Sequence, residues 1–202
     1  MRTLFHLWLH PHSRKVRLSL AEKNLKFEAI IEKTWERRTE YMAMNPAGDV
    51  PLMIEEDGTV LANSAVICEY LDSIQGDVRL FPSDSLDRWK ALRCQALADG
   101  VLDAAVAIRY ETVFRPEEKC WSPWVEGQMG KIRRGLDTLE DDLESFRYDV
   151  DIGTITTACA MGHLDFRFPA EDWRRGRPNL WDWYAQFALR GSMVATEPAR
   201  LL

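Results

Sequence analysis

The spacing of apolar positions changes partway along the chain and divides it in two. Up to about residue 80, short apolar runs alternate with turn signals. Thr3–Leu9 alternates loosely and reads as a strand that Pro11 ends. Ser13 precedes a helical segment, Arg14–Lys23, with Val16, Leu20 and Ala21 on one face. Phe27–Ile31 is a second strand, and Asn45-Pro46-Ala47-Gly48-Asp49 is a turn cluster leading into a third, Val50–Ile54. Asp57-Gly58 signals a hairpin, so Val60–Ala62 returns antiparallel. Ser64 then caps a helix with Val66, Ile67, Tyr70 and Leu71 facing inward. The order is βαβ, an irregular stretch, then ββα.

After Gly76–Ser85 the period is helical only. Trp89, Leu92, Ala96, Gly100, Ala104 and Ile108 recur at spacings of three and four, and the small residues among them allow a neighbouring helix to approach closely. Ser122-Pro123 is a helix start, a Ser cap followed by Pro at the first helical position. The row behind it, Val125, Met129, Ile132, Leu136, Leu139, Leu143 and Phe146, predicts about 22 helical residues, about 33 Å long. Three heptads inside a helical domain read as a long core helix rather than a coiled coil. Asp151 and Thr154 cap a further helix through Ile155, Ala158, Cys159 and Gly162, and Arg177-Pro178 opens a last one through Leu180, Tyr184 and Phe187. The fold class is therefore α/β followed by all-α, with residues 1–76 as the first domain, 77–86 as linker and 87–202 as a helical bundle. No internal repeat appears.

Composition narrows the partners. The 202 residues carry 26 Lys+Arg against 32 Asp+Glu, a net charge of −6, which disfavours nucleic acid and anionic membrane surfaces as main partners. The longest uncharged stretch, between Asp151 and Asp165, is too short and too rich in Thr to span a bilayer. The start, MRTLFHLWLHPH, has neither the apolar run nor the small-residue cleavage site of a signal peptide. Cys68, Cys94, Cys120 and Cys159 lie far apart, with no CxxC, which points to neither a metal site nor a disulfide framework and suits a reducing cytoplasm. His6, His10 and His12 alternate by two, as a strand and the loop after it would place them. Six of the eight Trp fall from Trp89 onward, and the simplest reading has Trp89, Trp121, Trp124, Trp173, Trp181 and Trp183 packing helices together.

One proline carries the link to chemistry. Pro51 opens a strand although it cannot donate a ladder hydrogen bond. A four-stranded βαβ–ββα unit with Val-Pro before its third strand is the thioredoxin-like pattern, in which the Val50–Pro51 bond is cis and turns the Val50 backbone toward the site. Three motifs extend it: His10-Pro11-His12-Ser13-Arg14-Lys15-Val16-Arg17, Asn45-Pro46-Ala47-Gly48-Asp49-Val50-Pro51 and Asn63-Ser64-Ala65-Val66-Ile67. With Gly162-His163-Leu164-Asp165-Phe166-Arg167 and Thr196-Glu197-Pro198, the chain resembles the bacterial cytosolic glutathione S-transferases over nearly its whole length.

The resemblance implies an N-terminal thioredoxin-like domain with a four-stranded mixed sheet, a C-terminal helical domain that shapes an acceptor pocket, and a symmetric homodimer in the cytoplasm. It also implies glutathione as co-substrate and attack of its thiolate on a small, mainly apolar electrophile. Ser64 matches the residue that binds the γ-glutamyl carboxylate, which suits a hydroxyl and free N–H groups at a helix N-terminus. Asn63 stands where an acidic residue or Gln is usual, and accepts from the γ-glutamyl ammonium without charge attraction. Val50, before Pro51, pairs through its backbone with the cysteinyl unit. Trp35, Glu36, Arg37 and Arg38 read as a solvated charge run with one packing Trp, the sharper alternative, by position alone, having Trp35 or an Arg touch the glycyl end, and Tyr110 is a candidate pocket wall.

The catalytic position departs from the pattern. Where the family carries Ser, Cys or Tyr this chain has His10, and Ser13 takes the place of the second cysteine of a thioredoxin CxxC, so exchange through two protein cysteines is excluded. A free thiol with a pKa of about 8.5 needs about 2.7 kcal/mol of thiolate stabilisation to shift by two units. His10 accepting the thiol proton, Ser13 donating to the sulfur, and a site that binds without activating are three open readings. The same departures, with Asn63, fit a non-catalytic binding module of this fold acting on a protein partner in stress response or cell division.

Overall fold

β1 (Thr3–His6) lies inside a four-stranded sheet of order β2-β1-β3-β4. It pairs parallel with β2 (Glu28–Ile31), with Leu4 opposite Ala29, and antiparallel with β3 (Leu52–Ile54), with Phe5 opposite Leu52. β3 pairs antiparallel with β4 (Val60–Ala62), placing Leu52 opposite Ala62. These relations come from a computed structural model that describes residues 1–74, 78–143, 146 and 150–198. A parallel pair needs a crossover, which α1 (Pro11–Glu22) supplies. The mixed sheet and the antiparallel return are as the alternation implies.

Boundaries differ for local reasons. β1 stops at His6 because the chain turns, the His10 N–H donating to Leu7 O at 3.1 Å. β3 begins only at Leu52, after Pro51, which has no N–H to give a ladder. α1 starts at Pro11, three residues before Arg14, since Pro suits the first helical position, and Ala21 is exposed rather than on the buried face. The stretch read as irregular holds a 3₁₀ turn, Thr34–Glu36, and α2 (Thr39–Met44), too short to show a period. Its Tyr41 is buried against Val50 and Leu52. In α3 (Ser64–Ser73) Ile67 and Leu71 face inward as expected, but Val66 is exposed and Tyr70 half-buried, Cys68 taking the third buried place.

The chain forms two compact units, the second running from Ser83 to Arg190. The expected boundary at residue 76 lies outside the described residues. The helical unit ends at Arg190 rather than at the C-terminus, because the chain from Gly191 onward groups with the first unit. There α8 (Gly191–Ala195) is tied to α1: Arg14 Nη2 donates to Met193 O at 3.2 Å, Arg14 Nε to Thr196 Oγ1 at 3.4 Å, and Ser192 Oγ to the Glu22 carboxylate. Trp8 Nε1 also donates to Glu197 O at 3.1 Å. The Thr196-Glu197-Pro198 motif therefore serves the sheet-bearing unit.

The helical unit contains α4 (Ser85–Arg109), α5 (Ser122–Asp141), α6 (Ile152–Arg167) and α7 (Pro178–Phe187). The Asp151–Thr154 capping box opens α6 as expected, and α6 is buried from Ile152 through Leu164. The face expected of α4 is only partly the buried one, Ala104 and Ile108 being buried and Leu92 half-buried. Ala91, Cys94, Ala98, Val101, Leu102 and Ala105 are buried with Ala104 and Ile108, whereas Ala96 and Gly100 are exposed and Trp89 is 67% exposed. Two apolar rows of the same period run along this helix, and periodicity alone does not choose between them. The row of small residues wins because α6 approaches closely. A Cβ added to Gly153 would stand 2.8 Å from Ala91 O and 2.8 Å from Cys94 Cβ. Gly153→Ala is therefore expected to cost about 1–2 kcal/mol in urea unfolding. Gly100→Ala, where an added Cβ meets nothing, is expected to be neutral or stabilising. Equal midpoints for the two variants would show that this approach is not constrained.

The Trp expectation divides. Trp173 is 1% exposed, its ring edge-on to Trp181 and Tyr184, and buried Trp183 stacks on Phe146 at 5.0 Å. Trp121 at 63% exposure joins Trp89 outside the core. α5 ends at Asp141, short of the expected row, although Phe146 still packs. Among the described residues, no helix is long and apolar enough to cross a membrane.

Candidate functional site

The sheet register gathers the expected site residues at one end of the first unit. Phe5 and Ala62 both pair with Leu52, so the chain leaving β1, the chain entering β3 and the chain leaving β4 adjoin. The first leads to His10 and α1, the second carries Val50 and Pro51, and the third leads to Asn63 and Ser64. No single motif contains this juxtaposition.

The Val50–Pro51 bond is cis, as the strand-opening proline implies. The turn before it is held by two donors on one carbonyl: Tyr41 Oη donates to Asp49 O at 2.6 Å and Asn45 Nδ2 at 2.7 Å. Gly48 supplies a φ of +72° within the same turn. Burial raises the Tyr41 hydroxyl to about 12, so it stays a donor through the neutral range. The Asn45–Asp49 cluster is thus the mount for the Val50 backbone.

Across from it α3 starts with a strained residue. Asn63 has φ +74°, and its Oδ1 accepts from the Ala65 N–H at 2.9 Å. Asn63, not Ser64, is therefore the N-cap, and Ser64 is the first helical residue. That frees the Ser64 hydroxyl from capping. Its Oγ lies 3.4 Å from His12 Nδ1, in contact across from α1. Ser64 is itself buried, and the N–H groups of the first turn of α3 that no cap satisfies suit an anion.

On α1, His10 is the N-cap with extended backbone and Pro11 follows it. The His10 and His12 rings lie 5.6 Å apart, both half-buried. Ser13 is fully buried, and its Oγ makes no hydrogen bond among the described residues. The two candidates for the thiol differ in burial: His10 is half-buried, with its Nδ1 enclosed, and Ser13 is fully buried. His12 is the residue that sequence reading passed over. The alternation of His6, His10 and His12 signalled a strand and loop, whereas Pro11 starts a helix whose first turn aims His12 at Ser64.

Other charges near this end are already engaged. Arg17 lies over the Trp8 ring at 3.9 Å and donates to Trp8 O at 2.7 Å. Burial and the Arg17 charge lower His6 to about 4, keeping that imidazole neutral. Arg38 pairs with buried Glu32, which raises its pKa and commits it away from a ligand. Trp35 is 58% exposed and makes no defined contact with the other site residues. In the helical unit Tyr110 is exposed, and buried His163 packs edge-on to Phe168.

Comparison with known proteins now bears on this geometry. Residues 11–74 match the family model "Glutathione S-transferase, N-terminal domain", and residues 122–186 match "Glutathione S-transferase, C-terminal domain". The chain is 34% identical over 194 residues to the uncharacterized GST-like protein YibF of Escherichia coli strain K12, covering 94% of this chain and 95% of that one. It belongs to the glutathione S-transferase family. A solved structure of a family member from Pseudomonas fluorescens Pf-5, holding glutathione, superposes with a TM-score of 0.92 at 39% identity, over 98% of this chain and 99% of that one. FtsZ-localized protein A of Caulobacter vibrioides is 32% identical over 108 residues, about half of each chain. Family membership accounts for the thioredoxin-like sheet, the cis proline and the helical second unit in one step. It does not explain why His10 stands where the resemblance leads one to expect Ser, Cys or Tyr.

Proposed function

We propose that this glutathione S-transferase binds glutathione at the gathered end of its sheet and transfers the thiolate to a small, mainly apolar electrophile. The observation that carries the reading is the convergence of the cis Val50–Pro51 turn, the Ser64–His12 pair at the α3 N-terminus and the half-exposed His10 ring on that end. The glutathione-holding relative supports it.

In this reading the Ser64 hydroxyl and the first N–H groups of α3 receive the γ-glutamyl carboxylate, favoured by the helix dipole. The remaining acceptor capacity of Asn63 Oδ1 serves the ammonium. The Val50 backbone beside Pro51 pairs with the cysteinyl unit. His10 takes the thiol proton while the sulfur attacks. A sulfur–carbon bond forms, and the acceptor's leaving group departs with its electron pair. Ser13, fully buried, supports the turn instead of meeting the sulfur. The protein works as a homodimer in a reducing cytoplasm, a reading supported by exposed apolar side chains within each unit: Val66 in the first, Leu86 and Trp89 in the second.

A second reading, a partner-binding module without turnover, is favoured by His10 at the position of the usual Ser, Cys or Tyr and by the partial likeness to FtsZ-localized protein A. Calorimetry separates the two. The parent is expected to bind glutathione, and Ser64→Ala to weaken that binding about tenfold, the loss of one hydrogen bond to a charged group. A parent chain that takes up no glutathione and turns over no electrophile would remove the transferase reading.

A further inference from the structure

α1 and α3 are tied together at two levels. Near their starts His12 Nδ1 lies 3.4 Å from Ser64 Oγ, and further along Ser19 Oγ meets Cys68 Sγ at 3.3 Å, both of these residues fully buried. The two contacts follow in the same order along each helix, so α1 and α3 run in the same sense and bring their N-termini to one end of the unit. His12 is the second residue of α1 and Ser64 the first of α3. His12 is half-buried and Ser64 is 5% exposed, so its hydroxyl finds its partners within the fold or on a ligand rather than in bulk water.

A hydroxyl has one proton and two lone pairs, and an imidazole nitrogen either donates or accepts. With Nδ1 accepting, the Ser64 proton is spent on the ring, and an anion beside α3 meets only oxygen lone pairs. With Nδ1–H donating, a lone pair of the Ser64 oxygen is filled from the α1 side and its proton is left for a ligand. That proton then acts beside the first turn of α3, where Asn63 Oδ1 takes the Ala65 N–H at 2.9 Å and Asn63 O takes the Ile67 N–H at 3.0 Å. The N–H groups of this turn that no cap satisfies favour an anion at the same place. Neither capping nor packing accounts for the pair. Asn63 already caps α3, and filling the space on α1 needs no ring nitrogen turned to Ser64.

We infer that His12 is a positioning residue: its Nδ1–H donates to Ser64 Oγ and aims the Ser64 proton at the γ-glutamyl carboxylate of glutathione. Resting on the transferase reading, this role gives the site its selectivity for the amino-acid end of the co-substrate.

Calorimetry without an electrophile compares glutathione with 4-aminobutanoyl-cysteinyl-glycine, the same tripeptide lacking that carboxylate. The proteins are the parent, His12→Leu, His12→Asn, Ser64→Ala and the double variant His12→Leu/Ser64→Ala. His12→Leu is expected to weaken glutathione about tenfold, the loss of one aligned hydrogen bond to a charged group, while the analogue stays within about twofold of its parental affinity. Asn carries an amide N–H where Nδ1 stands, so His12→Asn is expected to hold glutathione within about threefold of the parent. The double variant is expected to lose no more than Ser64→Ala alone, because His12 acts through that hydroxyl. Parental glutathione affinity in His12→Leu or in Ser64→Ala overturns the role. An equal loss for the analogue, no recovery in His12→Asn, or additive losses in the double variant does the same. In each of these cases a parent that binds glutathione keeps the transferase reading. A parent that binds neither tripeptide removes that reading and the role of His12 together.

Discussion

His10→Ala is expected to lower kcat toward an electrophile by about two orders of magnitude, with glutathione affinity within about twofold of the parent. A positioned base contributes about 10²–10⁴-fold, and at neutral pH a thiol with a pKa of about 8.5 is mostly un-ionised. His10 is the half-exposed side chain at the α1 N-cap, while Ser13 is closed off from solvent. The affinity is spared because carboxylate and cysteinyl recognition fall to Ser64, the α3 N-terminus and the Val50 backbone. The pH profile separates a base from a mere wall. In the variant the rate should keep rising with pH into the thiol range, whereas the parent levels off lower. Ser13→Ala should leave kcat within a few-fold. An alanine variant with parental kcat and an unchanged profile would show that His10 does not handle the proton, and a collapse in Ser13→Ala alone would transfer the role to Ser13.

Acidification from pH 7 to 4.5 is expected to destabilise the parent by about 2–3 kcal/mol more than it does His6→Leu. His6 is buried on β1, and burial with the Arg17 charge lowers its pKa to about 4. An unfolded chain carries this imidazole near 6.5. The native state therefore holds it neutral. Above about 6.5 neither state binds the proton and the stability is whole. As pH falls toward 4 the unfolded chain takes up a proton that the folded chain refuses, and stability is lost through that window. A drop of about 2.5 units corresponds to about 3 kcal/mol, which sets the upper end of the expected difference. Urea midpoints of both proteins at half-unit pH steps measure it. Parallel curves for parent and variant would show that His6 is not the titrating group.

How far the sequence carried depended on whether a signal was local. The strand-opening Pro51, the Asp57-Gly58 hairpin and the Asp151–Thr154 box are short-range devices, and each sits in the fold where its chemistry places it, whereas α5 is capped by Trp121, so Ser122 is its first helical residue and not its cap. Chain order alone was enough for the family resemblance. Ser64 illustrates the limit. Ser and Asn are both good N-caps, and only the positive φ at Asn63 settles that Asn63 caps and that Ser64 keeps its hydroxyl for His12. The α4 face was only partly legible for a similar reason. Its two apolar rows share one period, and the approach of Gly153 to Ala91 and Cys94 decides between them.

By itself the amino-acid order determined a mixed sheet followed by helices, an acidic chain with no cysteine pair for exchange, and His10 and Ser64 as residues of interest. Those properties reside in single residues and short spacings. Tertiary structure alone decided that the end of β1, the start of β3 and the end of β4 adjoin, and that Trp89 and Trp121 stay outside the core. It also decided that residues from Gly191 onward serve the first unit. Each joins positions far apart in the chain. Such pairs depend on strand register and on how closely two helices approach, and no local pattern encodes either.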